Sequence, residues 1–151
     1  MKDLADVCNN FQEFNENLKE EHDKFNDILQ LNFTDAYRNM TYKHLSGYWW
    51  VKNNCENVQF VLKSDDDQAI DVYHLKSFVK EFIPIETSHF YLCIYMQDQV
   101  PHRNPENKWF VTRDEYSRDY YPEYCAGWAY VTNIKTISSV LGKILILKLR
   151  P

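Results

Sequence analysis

The spacing of apolar residues in the first third of the chain predicts a helix, a short strand and a second helix. Apolar side chains recur at helical spacing in a polar background over residues 11–24. Apolar and polar positions alternate over residues 27–33, "DILQLNF", which predicts a short strand. Thr34 or Asp35 can cap the next helix, whose pattern continues to about Asn53.

The remaining two thirds of the chain continue to alternate between strand and helix patterns. A helix is predicted to begin at Asp71 and to end near Pro84. Its inward face is predicted to carry Val72, Leu75, Phe78, Val79 and Phe82. Residues 100–108, "VPHRNPENK", contain two prolines and two asparagines and are predicted to form a loop. The same patterns predict strands over residues 58–63, 89–97 and 125–132, and a helix over residues 133–147.

The order of these elements indicates the fold class. Helices that alternate with strands are typical of an α/β layer structure around a largely parallel or mixed sheet. We expect the strand over 58–63 to be central, with the strands over 89–97 and 125–132 in the same sheet. Open α/β sheets bind their ligands beyond the carboxyl ends of the strands. Residues 65–67, three consecutive aspartates, lie at such an end.

The acidic triplet allows two interpretations. Hard divalent cations prefer oxygen ligands, and a cation offsets the mutual repulsion of clustered carboxylates. Asp65 and Asp67, spaced at i and i+2 in a turn, can point toward one side and share a metal or a metal-bound diphosphate. The alternative is a solvated acidic turn that caps the following helix, because charge runs are usually solvated. The triplet alone does not decide between them.

Composition and charge argue against several functional classes for this protein. With 44% hydrophobic and 16% aromatic residues, the 151-residue chain is expected to pack as a single domain over residues 1–151. A net charge of -5 and the lack of a basic stripe argue against a nucleic-acid partner. The sequence contains no stretch of signal-peptide or membrane-span character. Four widely spaced cysteines without a CxxC pair argue against a zinc knuckle.

Three blocks resemble one enzyme family. The run "FVLKSDDDQAIDVYHL", preceded by Trp49 and Cys55, is similar to the signature of the beta-1,3-galactosyltransferase and N-acetylglucosaminyltransferase family, glycosyltransferase family 31. Upstream, "DILQLNFTDAYRNMTYKHL" resembles the family's D-I-x-x-x-D-F-x-D-x-Y-x-N-L-T-x-K segment. Downstream, "PHRNPENKWFVTRDEYSRDYYPEYCAGWAYVTN" resembles its K-W-x-V and Y-P-x-Y-C-x-G stretch. The blocks occur in the family's order over about residues 25–133.

The resemblance implies a GT-A type, Rossmann-like glycosyltransferase domain and an inverting hexosyltransferase. Such an enzyme transfers galactose or N-acetylglucosamine from a UDP-hexose to a glycan hydroxyl on a glycoprotein or glycolipid, in a beta-1,3 linkage and with Mn²⁺. By resemblance Asp67 binds the metal directly. Asp65 and Asp66 hold the metal's second shell, the ribose or the donor sugar, and Asp65 is also a candidate metal ligand. Lys63 either pairs with the triplet or ends its strand in solvent.

The resemblance also places the wall of the donor-sugar pocket. The block from Tyr121 to Gly127 would form part of that wall, and Gly127 would let the backbone approach a ligand closely. Family members often have further glycines where this chain has Trp128 and Ala129, which changes the expected shape of the pocket. Trp109 and Tyr116 are interpreted as core aromatics.

Localisation follows from the resemblance rather than from composition. It implies a type II membrane protein of the Golgi apparatus whose catalytic domain lies in the lumen. Cys55, Cys93 and Cys125 match family cysteine positions, so disulfides are expected there, with the pairing left open. Two glycosylation sequons begin at Asn32 and Asn39, and Asn39 is the preferred site because its sequon matches the family's N-L-T.

Three family features are not found in the printed sequence: the membrane anchor, an R-x-x-x-R-x-T-W segment and a C-terminal E-D-V motif. The Asp of that motif is the general base of the family, so we assign no catalytic residue here and expect the base outside this chain. We therefore expect a partial domain (a fragment, an incomplete gene model or a degenerate paralogue) that does not catalyse transfer by itself. The alternatives are a non-catalytic lumenal relative that binds a nucleotide-sugar or partner protein and, more distantly, an unrelated acidic metal-binding domain.

Overall fold

A long polar helix dominates the first of two compact units, residues 1–47. The computed structural model describes residues 4–83 and 89–148, with side chains over 15–83 and 89–144. Helix α1 spans Leu4–Phe25, so the predicted helix is confirmed and begins earlier than expected. Asn26 ends it with a positive φ of 53° and donates its N–H to the His22 carbonyl at 2.7 Å. Asparagine tolerates this left-handed conformation better than most residues, which makes it a suitable helix end.

The strand predicted over residues 27–33 is wrong. The segment is irregular, and the N–H of Phe33 turns back to the carbonyl of Leu31 at 3.1 Å. An alternating pattern produces a strand only when a second strand pairs with it, and no strand is described between residues 4 and 47. The alternation instead places Phe33 against Tyr42, with ring centroids 6.4 Å apart.

The second helix is confirmed, but its predicted caps are wrong. A 3₁₀ turn, Tyr37–Asn39, leads into helix α2, Met40–Asn54. Extended Ala36 precedes the turn, and no side chain caps it. The carboxylate of Asp35 pairs instead with the ammonium of Lys43 at 3.1 Å. An exposed pair of this kind contributes little to stability.

Three antiparallel strands form the sheet of the second unit, residues 48–151. They are β1, Phe60–Ser64, β2, Tyr91–Met96, and β3, Tyr124–Asn133. The spatial order is β1-β3-β2. The expectation that these strands share a sheet is confirmed, but β3 rather than β1 is central.

The expectation of a largely parallel or mixed sheet is wrong for the described residues. β1 and β2 both run antiparallel to β3 and therefore parallel to each other, as expected for two strands joined by a helix. Strand β3, which is ten residues long, lies between β1 and β2 and pairs with both. β1 and β2 therefore do not pair with each other. The described chain is thus a mixed helix and strand structure with a small antiparallel sheet.

Helix α3, Val72–Phe82, connects β1 to β2 and begins as predicted. The Asp71 carboxylate caps it by accepting the backbone N–H of His74 at 3.0 Å. This hydrogen bond and a second one with the imidazole of His74 hold the pKa of Asp71 below its usual value. The predicted inward face is only partly correct, since Val79 is buried and Leu75 half-buried. The exposed members of that face are Val72, Phe78 and Phe82. Pro84 lies outside the described residues.

One face of the sheet carries the core of the second unit. Tyr48, Tyr130 and Ile137 are buried there, and Ile137 belongs to helix α4, Ile134–Lys148. Packed against them are Val61, Cys93, Val140 and Leu141. The hydroxyl of Tyr48 is hydrogen-bonded to those of Tyr130 and Tyr91. Burial raises the pKa of the Tyr48 phenol and raises that of Tyr130 to about 12.

A disulfide joins Cys93 of β2 to Cys125 of β3, with the two Cα atoms 5.6 Å apart. That separation lies within the usual range for a disulfide. Cys55 is half-buried and carries a free thiol. Two of the three cysteines matched by the family resemblance are therefore paired. None of the described helices has both the length and the apolar character needed to cross a membrane.

Candidate functional site

The acidic triplet forms a turn fixed against the central strand. Strand β1 ends at Ser64, and the N–H of Asp65 donates to the carbonyl oxygen of Trp128 at 2.8 Å. The N–H of Gln68 then reaches back to the Asp65 carbonyl at 3.4 Å, which closes the turn. The antiparallel register brings Ser64 opposite Ala129. The turn therefore lies beside Gly127, as the predicted site requires.

Lys63 connects the turn to β3 from the side. Its ammonium group donates to the carboxylate of Asp65 and to the carbonyl oxygen of Gly127. The Lys63 side chain is 22% exposed, less than the 44% of Asp65. The pairing with the triplet is the arrangement that the structure adopts, so the solvent-directed alternative for Lys63 is wrong.

The other two aspartates of the triplet differ from Asp65 in their exposure. Asp66 and Asp67 are exposed, and Asp67 accepts a hydrogen bond from the side-chain amide of Gln68 at 2.8 Å. Over the described side chains, no three His, Cys, Asp or Glu residues are grouped closely enough to hold a metal. Carboxylates without a complete protein cage suit a hard cation that shares its coordination with substrate phosphates and water. Asp66 and Asp67 are exposed carboxylates of the kind that such a cation takes as ligands.

Gly127 faces open space. A β-carbon built at Gly127 would meet no atom within 4 Å, and its φ lies outside the left-handed region. The local fold therefore does not require glycine at this position. Trp128, which stands where family members often have glycine, is 43% exposed beside it.

Three tyrosines in ring contact lead into β3. The ring of Tyr121 contacts those of Tyr116 at 4.9 Å and Tyr124 at 6.1 Å between centroids. Tyr124 pairs across the sheet with Met96. A hydrogen bond from Tyr95 to the Glu123 carboxylate raises the pKa of Tyr95. The block from Tyr121 to Gly127 is thus held by ring contacts and by strand pairing.

The two aromatics interpreted as core residues, Trp109 and Tyr116, differ in their burial. Tyr116 is half-buried, and its hydroxyl donates to the Tyr120 carbonyl at 2.9 Å. Trp109 is 47% exposed, so its interpretation as a core residue is wrong. Its ring contacts the imidazole of His102, at 5.5 Å between centroids, and the ammonium of Lys108, at 4.5 Å from the ring centroid. Contacts with local polar groups therefore take the place of burial for Trp109.

Arg103 organises the loop before β3 and was not predicted. Its guanidinium group donates to carbonyl oxygens spread over eight positions of that loop. The acceptors are the carbonyls of Val111, Thr112, Tyr116 and Arg118. No periodic pattern signals such bonds, because every acceptor is a backbone atom. The only cue is an arginine between the two prolines of "VPHRNPENK".

An apolar groove of about 240 Å³ lies on the opposite face of the sheet from Tyr48. Leu62, Leu92 and Val131 line it from the strands, and Ile70 and Leu75 line it from the segment around α3. It contains no ionisable lining residue apart from Tyr130 and disulfide-bonded Cys93. This groove therefore offers no charged side chain to a ligand.

The two sequons differ in accessibility. Asn32 is exposed in an irregular bend. Asn39 is half-buried, and its side-chain amide donates to the Thr34 carbonyl at 2.8 Å. In the folded first unit, Asn32 is thus the more open of the two.

Comparison with known proteins identifies the family. Residues 8–149 match the family model described as Galactosyltransferase. The chain is 35% identical over 121 residues to human "Beta-1,3-galactosyltransferase 5", which covers 80% of this chain and 38% of that protein. It is 33% identical over 122 residues to "Lactosylceramide 1,3-N-acetyl-beta-D-glucosaminyltransferase A" of Xenopus laevis, covering 81% and 32%.

A second human relative agrees with these two. The chain is 34% identical over 115 residues to human "Beta-1,3-galactosyltransferase 2", covering 74% of this chain and 26% of that protein. The matched region thus spans at most about two fifths of the length of these relatives. The family match itself covers nearly the whole chain, and the resemblance drawn from the three sequence blocks is confirmed. The chain belongs to the galactosyltransferase family.

Proposed function

We propose that this protein takes part in transferring galactose or N-acetylglucosamine from a UDP-sugar to a glycan hydroxyl in a beta-1,3 linkage. The observation that carries the proposal is the acidic turn held beside Gly127 by the Asp65–Trp128 backbone bond. Relatives named for both sugars support the two donors. The acceptor would be a glycan on a protein or lipid.

Each residue of the turn has a part in this proposal. Asp67, with Asp66 beside it, would hold a divalent cation such as Mn²⁺ together with the UDP diphosphate. A bound cation of this kind would act as a Lewis acid that stabilises the charge on the departing UDP. Asp65 contributes less as a direct ligand, because Lys63 already occupies one of its carboxylate oxygens. The open space at Gly127 would admit the donor sugar.

The arrangement of β1, α3 and β2 supports a GT-A type fold for the complete domain. Two mutually parallel strands joined by a helix, with the acidic turn beyond the carboxyl end of the first, are the arrangement in which α/β sheets bind nucleotides. We leave the role of general base to a residue outside the printed sequence. The tests below therefore measure donor binding and not turnover.

The proposed compartment is the Golgi lumen, with a membrane anchor in the full-length protein, as the family resemblance implies. The Cys93–Cys125 disulfide suits an oxidising compartment. Of the two sequons, the exposed Asn32 is proposed as the more accessible glycan site, with Asn39 second. Expression in secretory cells with Asn32→Gln and Asn39→Gln variants, followed by glycosidase treatment and a mobility assay, tests both sites.

Binding of Mn²⁺ and UDP by the purified chain tests the proposed site. Calorimetry should detect UDP binding that requires Mn²⁺, and Asp67→Ala should abolish it. Asp71→Ala is the matched control: it removes another exposed carboxylate from the same segment but should only weaken the start of α3. Equal losses of binding in both variants would favour the solvated-turn alternative. The proposal would be wrong if the wild-type chain did not bind Mn²⁺ and UDP together.

A further inference from the structure

Lys63 is the side chain that joins the acidic turn to β3. Its cross-strand neighbour is Tyr130, and its ammonium reaches past that position to the Gly127 carbonyl and the Asp65 carboxylate. The backbone bond from Asp65 to Trp128 runs beside these two contacts. One hydrogen bond of the ammonium and one of the backbone thus hold Asp65, and the second bond of the ammonium ties Lys63 to β3.

The three aspartates are consequently not equivalent. Asp65 is engaged by a half-buried cation and by the backbone of β3. Asp66 and Asp67 are exposed, and the bond to Asp67 comes from the exposed side-chain amide of its neighbour Gln68. We propose that Lys63 is a positioning residue that commits Asp65 to holding the turn, so that Asp66 and Asp67 are presented to a metal-bound nucleotide diphosphate. This inference rests on the proposed function.

Electrostatics alone predicts the opposite effect of removing Lys63. An ammonium group beside a cation site repels the incoming cation, so its loss would strengthen binding of Mn²⁺ if charge were all that mattered. Positioning predicts weaker binding, because a turn released from β3 must be ordered again when the ligand binds. The sign of the change therefore separates a positioning residue from a bystander charge.

Lys63→Met and Lys63→Arg measure that sign. Methionine keeps an unbranched apolar stem without the charge, whereas arginine keeps the charge and hydrogen-bond donors in a different geometry. We expect Lys63→Met to weaken binding of Mn²⁺ with UDP roughly 10- to 100-fold, the usual cost of losing an outer-shell partner of a metal site. Lys63→Arg should recover part of the affinity. Lys43→Met, which breaks the exposed Lys43–Asp35 pair and makes the same change in net charge, should leave affinity unchanged.

A second measurement needs no ligand. The Asp65 amide is bonded to the Trp128 carbonyl, so its hydrogen exchange in the ligand-free protein reports whether the turn is held. Lys63→Met should speed this exchange at least about 10-fold, and Lys63→Arg should speed it less. Asp65→Asn, which removes the charge that attracts Lys63 while keeping the side-chain shape, should reproduce the effect if Lys63→Met fails to fold.

The two measurements distinguish failure of this inference from failure of the proposed function. If the wild-type chain binds Mn²⁺ with UDP and Lys63→Met binds them equally well or more tightly, the positioning role is overturned and the function stands. If the wild-type chain does not bind them, the proposed function fails. Exchange at Asp65 then decides the positioning role alone: no change in Lys63→Met would overturn it, and faster exchange would support it.

Discussion

Two half-buried cations, Lys63 and Arg103, organise two segments of the second unit in different ways. Lys63 divides its bonds between one carboxylate and one carbonyl and so joins a charged turn to β3. Arg103 directs its guanidinium group only to backbone carbonyls, from Val111 to Arg118. A compact ammonium suits a single charged partner, whereas a planar fork can support several backbone acceptors at once. The two cations thus differ in what they hold: Lys63 holds the acidic turn, and Arg103 holds the loop.

The Arg103 loop has a covalent restraint that the Lys63 turn lacks. Cys93 and Cys125 enclose it with a sequence separation of 32 residues. Replacing both cysteines with Ala should lower the free energy of unfolding by roughly 3–4 kcal/mol, because the unfolded chain gains the entropy of the opened loop. Urea denaturation of the variant and of reduced wild-type protein measures this loss. A change below about 1 kcal/mol in both would show that the loop is held by its own hydrogen bonds.

Removing Arg103 should cause the next largest loss of stability. Arg103→Met leaves carbonyls of the part-buried loop without their donor, at a cost of roughly 2–3 kcal/mol. Arg113→Met is the matched control, since Arg113 bonds to the Ser117 carbonyl and to Asp119 but is 60% exposed. It should change stability by less than about 1 kcal/mol. Equal losses in the two variants would mean that Arg103 does not organise the loop.

Tyr130, a buried and uncharged side chain of β3, should contribute less to stability than Arg103. Burial raises its pKa to about 12, above the value near 10 of an exposed phenol. Its contribution is therefore fully present below about pH 10 and is lost as the pH rises toward 12, because only the unfolded chain readily releases the proton. Tyr130→Phe should make the decline in stability over this range less steep. The variant should also lose about 1 kcal/mol at pH 7 with the hydrogen bond to Tyr48.

Lys63 should have the smallest effect on stability. Lys63→Met should change the free energy of unfolding by less than about 1 kcal/mol at pH 7, since the pair with Asp65 is partly exposed. Its effect should appear in ligand affinity and in local exchange instead. Thermal unfolding of Lys63→Met beside Arg103→Met tests the contrast between the two cations. A loss for Lys63→Met as large as that for Arg103→Met would remove the distinction between site and loop.

Local patterns predicted most of the elements but not their arrangement. The cap at Asp71, the extents of β2 and β3 and the start of α4 follow from residues close in sequence, so they could be found there. That β3 lies between β1 and β2 depends on pairing across dozens of residues, which apolar periodicity does not encode. The strand predicted over 27–33 failed for the same reason, since alternation does not reveal whether a partner strand exists.

In the candidate site, too, the motif residues could be predicted from the sequence, whereas the contacts between distant residues could not. The acidic triplet and Gly127 were identified from motif residues, and the structure places them together. Whether Lys63 pairs with the triplet or points to solvent depends on where the Gly127 carbonyl lies. That position is set by the register of β3 with β1. Arg103 was missed because its partners are backbone atoms whose positions exist only in the folded loop.

The register of β3 has a consequence for how the chain tolerates changes in length. One strand carries the Gly127 and Trp128 carbonyls that hold the turn, the cysteine of the disulfide and the buried Tyr130. Strand β3 pairs with β1 in regular register from Ala129 to Asn133, so an inserted residue within that stretch would turn the later side chains to the other face of the sheet. Residues 104–106 are exposed and lie outside the sheet, so an insertion there leaves the pairing of β3 with β1 unchanged. Length variation is thus expected more readily in this turn than in the regularly paired end of β3.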